Sequence, residues 1–258
     1  MISEEITKVL RAYTHVPHIS LAPRANAAIK KSLKFAKEKG YTTVLIPDEG
    51  GWMTYEPFAK KIGLEVEFLK TNHGILIPEK CPITAKSVLL IHTLAGYHSK
   101  QPTEALRKLC DAKNALFIED MCGAPHIRGQ GHIILGSFGN AKPINFGTGG
   151  FIGTENAEWF EKLKFSTKLE EPVLLEKVKN VKERLHQLYK KKTECIQLLE
   201  EKGLLYWCDE YGIVIIVPFE QSPDPILNIA KKCHVEYETC PRYIRTLTQA
   251  ISLEIKRN

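Results

Sequence analysis

The sequence contains no apolar run approaching the roughly 20 residues that a membrane-spanning helix needs, so a helical membrane anchor is not expected. Its first segment, MISEEITKVLRAY, places acidic residues where a secretory signal has basic ones, and no apolar stretch follows. The expectation is a soluble, cytoplasmic protein. The seven cysteines, at 81, 110, 122, 195, 208, 233 and 240, form no CxxC pair, a pattern of reduced thiols rather than a disulfide framework. Cys122 with His126, and Cys233 with His234 and Cys240, lack the second half of a ligand set, so no metal is expected. Zinc-finger spacing and RNP-type aromatic stretches are absent too. The net charge of +6 comes from lysines mixed with glutamates in stretches such as KKSLKFAKEKG and EKVKNVKERLHQLYKKK. These read as solvated helix faces, so nucleic acid is not an expected partner; a modest preference for anionic ligands is.

What is present is enough apolar material, 43% of 258 residues, for a substantial core. The first two-thirds alternate between two periodicities. Helices are predicted over Asn26 to Lys39 (stopped by Gly40), residues 54 to 62 (stopped by Gly63) and residues 103 to 113. Between them TTVLIP, LEVEFLK, SVLLIHT and ALFIED read as strands. This alternation predicts an α/β fold with a mainly parallel sheet sandwiched by helices, and ligands at the carboxyl ends of its strands. Pro47-Asp48, His92-Thr93 and Glu119-Asp120 belong to that edge. Beyond about residue 165 the character changes. Leu174, Val178, Val181, Leu185 and Leu188 form a narrow seam on one long amphipathic helix. Two strands around a turn at Asp209 to Gly212, a helix over Asp224 to Cys233 and a final strand, AISLEIK, complete a small α+β unit. Residues 1–165 are therefore expected to form a large domain, and residues 166–258 the connecting helix with a small C-terminal domain.

Chemistry concentrates in the large unit. Asp120 closes an apolar strand, and Lys142 lies in a stretch of small and apolar residues, GSFGNAKPINFGTGG. A lysine amine can form a Schiff base with the aldehyde of pyridoxal phosphate, and an aspartate can keep the pyridine nitrogen protonated. Ser137 with backbone N–H groups can hold a phosphate, and Trp52, in DEGGWMTY, can cover the ring, with Tyr55 as its rival. His92 and His98 read as structural histidines or as active-site groups. Arg242 and Arg245, in CPRYIR, are expected at the surface, with a substrate carboxylate as the alternative.

Ser137-Phe138-x-x-x-Lys142 followed by Gly-x-Gly-Gly at 147 to 150 resembles the lysine motif of the DegT/StrS-type aminotransferases, fold type I pyridoxal-phosphate enzymes. FIEDMCGAPH resembles the family's aspartate segment, VLLIHTLAG its strand ending in a histidine before a glycine turn, and VLIPDEGGWMTYEPFAKKIGLEVEFL its stacking-loop region. The resemblance implies pyridoxal 5'-phosphate bound by Lys142, Asp120, Ser137, Trp52 and His92, a transferase activity on a small amino donor and keto acceptor, and a homodimer. Departures accompany it. The chain is shorter than typical members, Thr148 replaces a glutamate, and Gly123 stands where the family has a glutamine. The G-x-N-x-R stretch is missing, and the S-G-T phosphate turn reads LAPRANAA, where Arg24 and Asn26 can form a side-chain clamp instead. The expected function is a pyridoxal-phosphate-dependent aminotransferase. A lyase or desulfurase of the same fold, and a non-catalytic binding or regulatory homologue, are the alternatives.

Overall fold

In the computed structural model, which describes residues 1–257, the chain opens with α1 (Ile2–Thr14), a segment to which the sequence reading gives no element. Its apolar stripe buries Ile6 and Leu10. Seven strands then build one sheet: β1 (His18–Ala22), β2 (Thr43–Pro47), β3 (Glu65–Leu69), β4 (Ser87–His92), β5 (Leu116–Asp120), β6 (Ile133–Ser137) and β7 (Gly150–Thr154). Their order across the sheet is β1-β7-β6-β5-β4-β2-β3. β7 runs antiparallel to both neighbours, and the remaining pairs are parallel. Of these strands, β1, β6 and β7 were not assigned from the sequence.

Every residue of β4 and β5 is buried, as strands covered on both faces require. Alternation divides the side chains between two layers. Val44, Ile46, Val88, Leu90 and Ile118 face α2 (Ala25–Glu38), α3 (Tyr55–Ile62) and α5 (Ala157–Leu163). Leu45, Leu89, Ile91 and Phe117 face the opposite side with α4 (Thr103–Ala112). The predicted helices and strands of the first two-thirds are thus present, each within a residue or two of its expected limits.

The seam beyond residue 165 is buried as expected, but it lies on two helices. α6 (Pro172–Lys179) ends and α7 (Val181–Glu201) begins at Asn180, whose φ of −95° and ψ of 11° leave the helical ladder. The Tyr13 hydroxyl donates to the Lys179 carbonyl at 2.9 Å, taking an acceptor that a continuous helix would use internally. Leu174, Val178, Val181, Leu185 and Leu188 nevertheless join one apolar cluster.

Of the two strands expected around Asp209 to Gly212, the first is a single bridge, Trp207 to Ile216, and the second is β8 (Ile215–Pro218). The turn is held by Asp209, whose Oδ1 accepts from the N–H groups of Tyr211 and Gly212. α8 (Asp224–Lys232), β9 (Tyr237–Arg242) and β10 (Thr246–Leu253) follow, β9 unforeseen. These strands form an antiparallel sheet in the order β8-β10-β9. The apolar cluster runs from Ile6 and Leu10 through Ile134 and Phe151 of the large sheet to Ile215, Ile251 and Ile255. Among the described residues no helix is long and apolar enough to cross a membrane.

Candidate active site

β4, β5 and β6 end side by side at the same edge, with His92 opposite Asp120 and Leu135 opposite Asp120 in the ladders. The chain leaves β6 at Ser137 and returns in β7 at Gly150, which pairs with Ser137 on one side and Ala22 on the other. The intervening loop is pinned by Phe138, fully buried, whose carbonyl accepts from Phe146 and Gly147 and whose N–H donates to Gly149. This accounts for the small residues around Lys142. Gly147 and Gly149 have φ of +108° and +84°, values that glycine adopts without strain. A Cβ on Gly150 would stand 2.4 Å from the Gly136 carbonyl oxygen.

Above this edge lies a cavity of about 160 Å³. Arg24, Asn26, Trp52, Asp120, Ser137 and Lys142 all line it, so six of the seven residues selected from the sequence meet in one place. The seventh, His92, lies behind the wall: it is 2% exposed, its Nδ1 accepts from the Leu94 N–H, and its ring is 4.3 Å from that of Tyr97. Burial pushes its imidazole down to about 4, so it is neutral. His98 is also buried away from the cavity, with Nδ1 2.9 Å from Ser99 Oγ.

Asp120 is 2% exposed and well supplied with donors. Its Oδ1 accepts from the Cys122 N–H at 3.0 Å and its Oδ2 from the Tyr55 hydroxyl at 2.7 Å. Tyr55 is fully buried, so it supports the carboxylate rather than covering a ring. The Lys142 amine lies near two aromatic rings, 4.8 Å from the Trp52 ring centre and 4.4 Å from that of Tyr97. Burial holds this amine below the ordinary lysine range, while Cys122 and Asp120 pull the other way. Trp52 is fixed by Nε1–H donation to Asn26 Oδ1 at 3.0 Å, and Thr54 donates to the same oxygen at 3.2 Å. Arg24 precedes α2 in extended conformation and bridges to Gly149. No side chain caps α2; the Ala27 and Ala28 N–H groups donate to the Arg24 carbonyl, and Ala25 and Asn26, the two residues before them, line the cavity at the helix end that favours anions.

Two lining residues, Cys122 and Tyr97, were not assigned to the cofactor site from the sequence. Cys122 is buried beside Asp120, and burial followed by the Asp120 charge raises its thiol far above the usual range. Tyr97 is 2% exposed, and its hydroxyl is the hydrogen-bond partner of the Lys142 amine. Its backbone is left-handed (φ 68°), directly after Gly96 (φ 53°), a conformation that costs an L-residue about 1–2 kcal/mol. Gly123 was the available signal: a Cβ there would lie 2.9 Å from His92 and 3.0 Å from Tyr97.

Arg245 corrects the expectation of a surface position. It is 2% exposed, and its guanidinium makes two 2.8 Å bonds to Glu254 and a third to the Ile244 carbonyl. These bonds occupy it, so it is not an open carboxylate receptor. Arg242, partly exposed, pairs with Glu238. Among the described residues no group of three or more His, Cys, Asp or Glu side chains is placed to hold a metal ion.

No protein-family model matches this chain, and no curated protein sequence does. Solved structures do. NtdA from Bacillus subtilis with bound cofactor PMP superposes with a TM-score of 0.77 at 17% identity, over 98% of this chain and 72% of that one. 3-Amino-5-hydroxybenzoic acid synthase gives 0.75 at 14%, over 98% and 85%. The apo cysteine desulfurase from Thermococcus onnurineus NA1 gives 0.73 at 11%, over 98% and 78%. The fold is that of the fold type I PLP-dependent transferases. Aminotransferases and a desulfurase share it, so the architecture alone does not select between their reactions.

Proposed function

We propose that this protein is a pyridoxal-phosphate-dependent aminotransferase acting on a small amino donor and a keto acceptor. The observation that carries this reading is the meeting of Lys142 and Asp120 in one cavity at the strand ends, with Ser137, Arg24 and the open start of α2 beside them. The donor set fits the group. Arg24 and Lys142 are the cations among the described lining residues and Asp120 is the only carboxylate, while Gly147 and Gly149 border the cavity with no side chain of their own.

When bound, pyridoxal phosphate supplies an aldehyde that an amine can capture and a pyridine ring that accepts electrons from the substrate α-carbon. Lys142 is the amine for that attachment, and its lowered proton affinity suits it to take a proton from a substrate carbon and return it. Asp120 would hold the proton of the pyridine nitrogen, with Tyr55 and the Cys122 N–H keeping its carboxylate in place. Ser137, Arg24, Asn26 and the first turn of α2 would bind the phosphate, and Trp52 would cover the ring. A buried thiol held in its protonated form is a poor nucleophile, so Cys122 does not favour the desulfurase reading.

The test is spectroscopic. Adding pyridoxal phosphate to the purified protein should produce a near-visible absorption band that Lys142→Ala lacks. Amino acids added one at a time should identify a donor that bleaches the band and yields its keto acid. A spectrum identical for both proteins refutes the assignment of Lys142. Release of sulfide from cysteine would establish the desulfurase alternative, and a band that no donor alters would point to a non-catalytic homologue. The fold's usual active-site boundary between subunits adds a homodimer to the proposal, and a monomer in sedimentation with cofactor bound would refute that part.

A further inference from the structure

The ring of Tyr97 is surrounded by charge, most of which the proposed chemistry does not employ. Three cationic groups approach its ring: the Lys142 amine at 4.4 Å, the Arg245 guanidinium at 5.1 Å and the Lys256 ammonium at 5.3 Å. Arg245 and Lys256 are tied to Glu254, which is fully buried; the Lys256 contact is 2.9 Å, and Ser252 donates to the same carboxylate at 2.7 Å. Tyr97 is fixed along its backbone as well. Its N–H donates to the Leu94 carbonyl at 3.0 Å, and its own carbonyl accepts from Ile213 at 2.9 Å. The missing side chain at Gly123 leaves the room that its ring and His92 occupy.

We propose that Tyr97 is the positioning residue of Lys142: its hydroxyl holds the amine in the cavity shared with Asp120, and the Arg245–Glu254–Lys256 cluster braces its ring from behind. This rests on the reading of Lys142 as the reactive amine and adds a residue to it. The hydroxyl accepts a hydrogen bond from the ammonium form, in a pocket where burial otherwise disfavours that form. The charged and titratable groups facing the amine are Asp120, Cys122, Tyr97, His92, Arg245, Glu254 and Lys256.

The experiment uses the intact chain and an aldehyde without phosphate, pyridine-4-carboxaldehyde, with cyanoborohydride. The amine nitrogen adds to the carbonyl carbon, water leaves, and hydride from cyanoborohydride reduces the C=N bond, so each event is recorded as a mass increase on Lys142. The labelling rate of Lys142 is followed against pH by peptide mass spectrometry in wild type and in Tyr97→Phe, which keeps the ring. The expected result has two parts. The plateau rate falls about tenfold because the amine is no longer held. The pH midpoint moves down by about one unit because the ammonium loses its acceptor. General loosening of the pocket would instead admit water and move the midpoint up. An unchanged plateau, or a midpoint unchanged or raised, overturns the proposal. Tyr97→Leu, which also removes the hydroxyl while keeping apolar bulk, gives the same reading if the Phe variant fails to fold. Because labelling does not depend on pyridoxal phosphate, a protein that passes this test yet shows no absorption band would refute the cofactor reading alone.

Discussion

At the residue scale, the site depends on side chains that stand one layer behind the cavity wall. Tyr55 is buried among apolar neighbours of α3 and β2, and its hydroxyl meets Asp120 Oδ2. Tyr55→Phe should lower stability by about 1–3 kcal/mol, measured by urea unfolding, and weaken pyridoxal-phosphate binding in a fluorescence titration. Gly123→Ala should cost about 1–3 kcal/mol in the same assay, since the added methyl meets His92, Tyr97 and Leu94 at 2.9–3.1 Å. Unchanged stability of that variant would mean that the packing around Tyr97 yields easily. Protonation provides another test. His92, His98 and His126 are each pushed down to about 4, burial being the largest cause. Unfolded histidines bind protons near pH 6.5, so as pH falls from 6.5 to 4 the unfolded chain takes up protons that the folded one refuses. Stability should therefore fall across that interval, read as a declining urea midpoint. Glu119, whose carboxyl burial raises despite three hydrogen-bond donors, opposes part of this trend.

At the element scale, the sequence displayed what periodicity can display. Helices α2, α3 and α4 and strands β2 to β5 carry strong patterns between glycine, proline and polar breaks. The lysine motif was legible because two physical requirements sit close together in the chain, an apolar anchor at Phe138 and glycines where φ is positive. The break at Asn180 was not legible, because its cause includes a hydroxyl from α1, 167 positions away in numbering (180 − 13). Tyr97 escaped for the same reason: its partners lie at 142, 245 and 256. The burial of Arg245 depends on Glu254, which follows the end of β10 directly and reads locally as an ordinary polar residue. Glu254→Gln should leave Arg245 and Lys256 without their counter-charge in a dry setting. A loss of about 3–5 kcal/mol in urea unfolding is the expected outcome, and a loss below about 1 would show that water already reaches the cluster.

At the scale of the whole molecule, the proposed division at residue 165 marks a change of sequence character, while the apolar cluster extends across it from Ile6 to Ile255. The contact of the Arg245 guanidinium with the Tyr97 ring and the Thr246 and Leu247 bonds to Glu49 cross it too. One cooperative unfolding transition should result. Tryptophan emission, reporting Trp52, Trp159 and Trp207 on both sides of residue 165, should change together with far-ultraviolet circular dichroism. Two separated transitions would show that the two parts unfold independently.

One rung of the large sheet, Ala22 beside Gly150 beside Ser137, gathers the approaches to Arg24, the glycine run and the lysine loop at a single ladder position. Fraying of the β1 edge would consequently disturb the backbone amides near Arg24 and the loop that carries Lys142 in the same fluctuation. Escape of a bound cofactor and exposure of those backbone amides to deuterium would then share one rate-determining opening, with a common activation enthalpy.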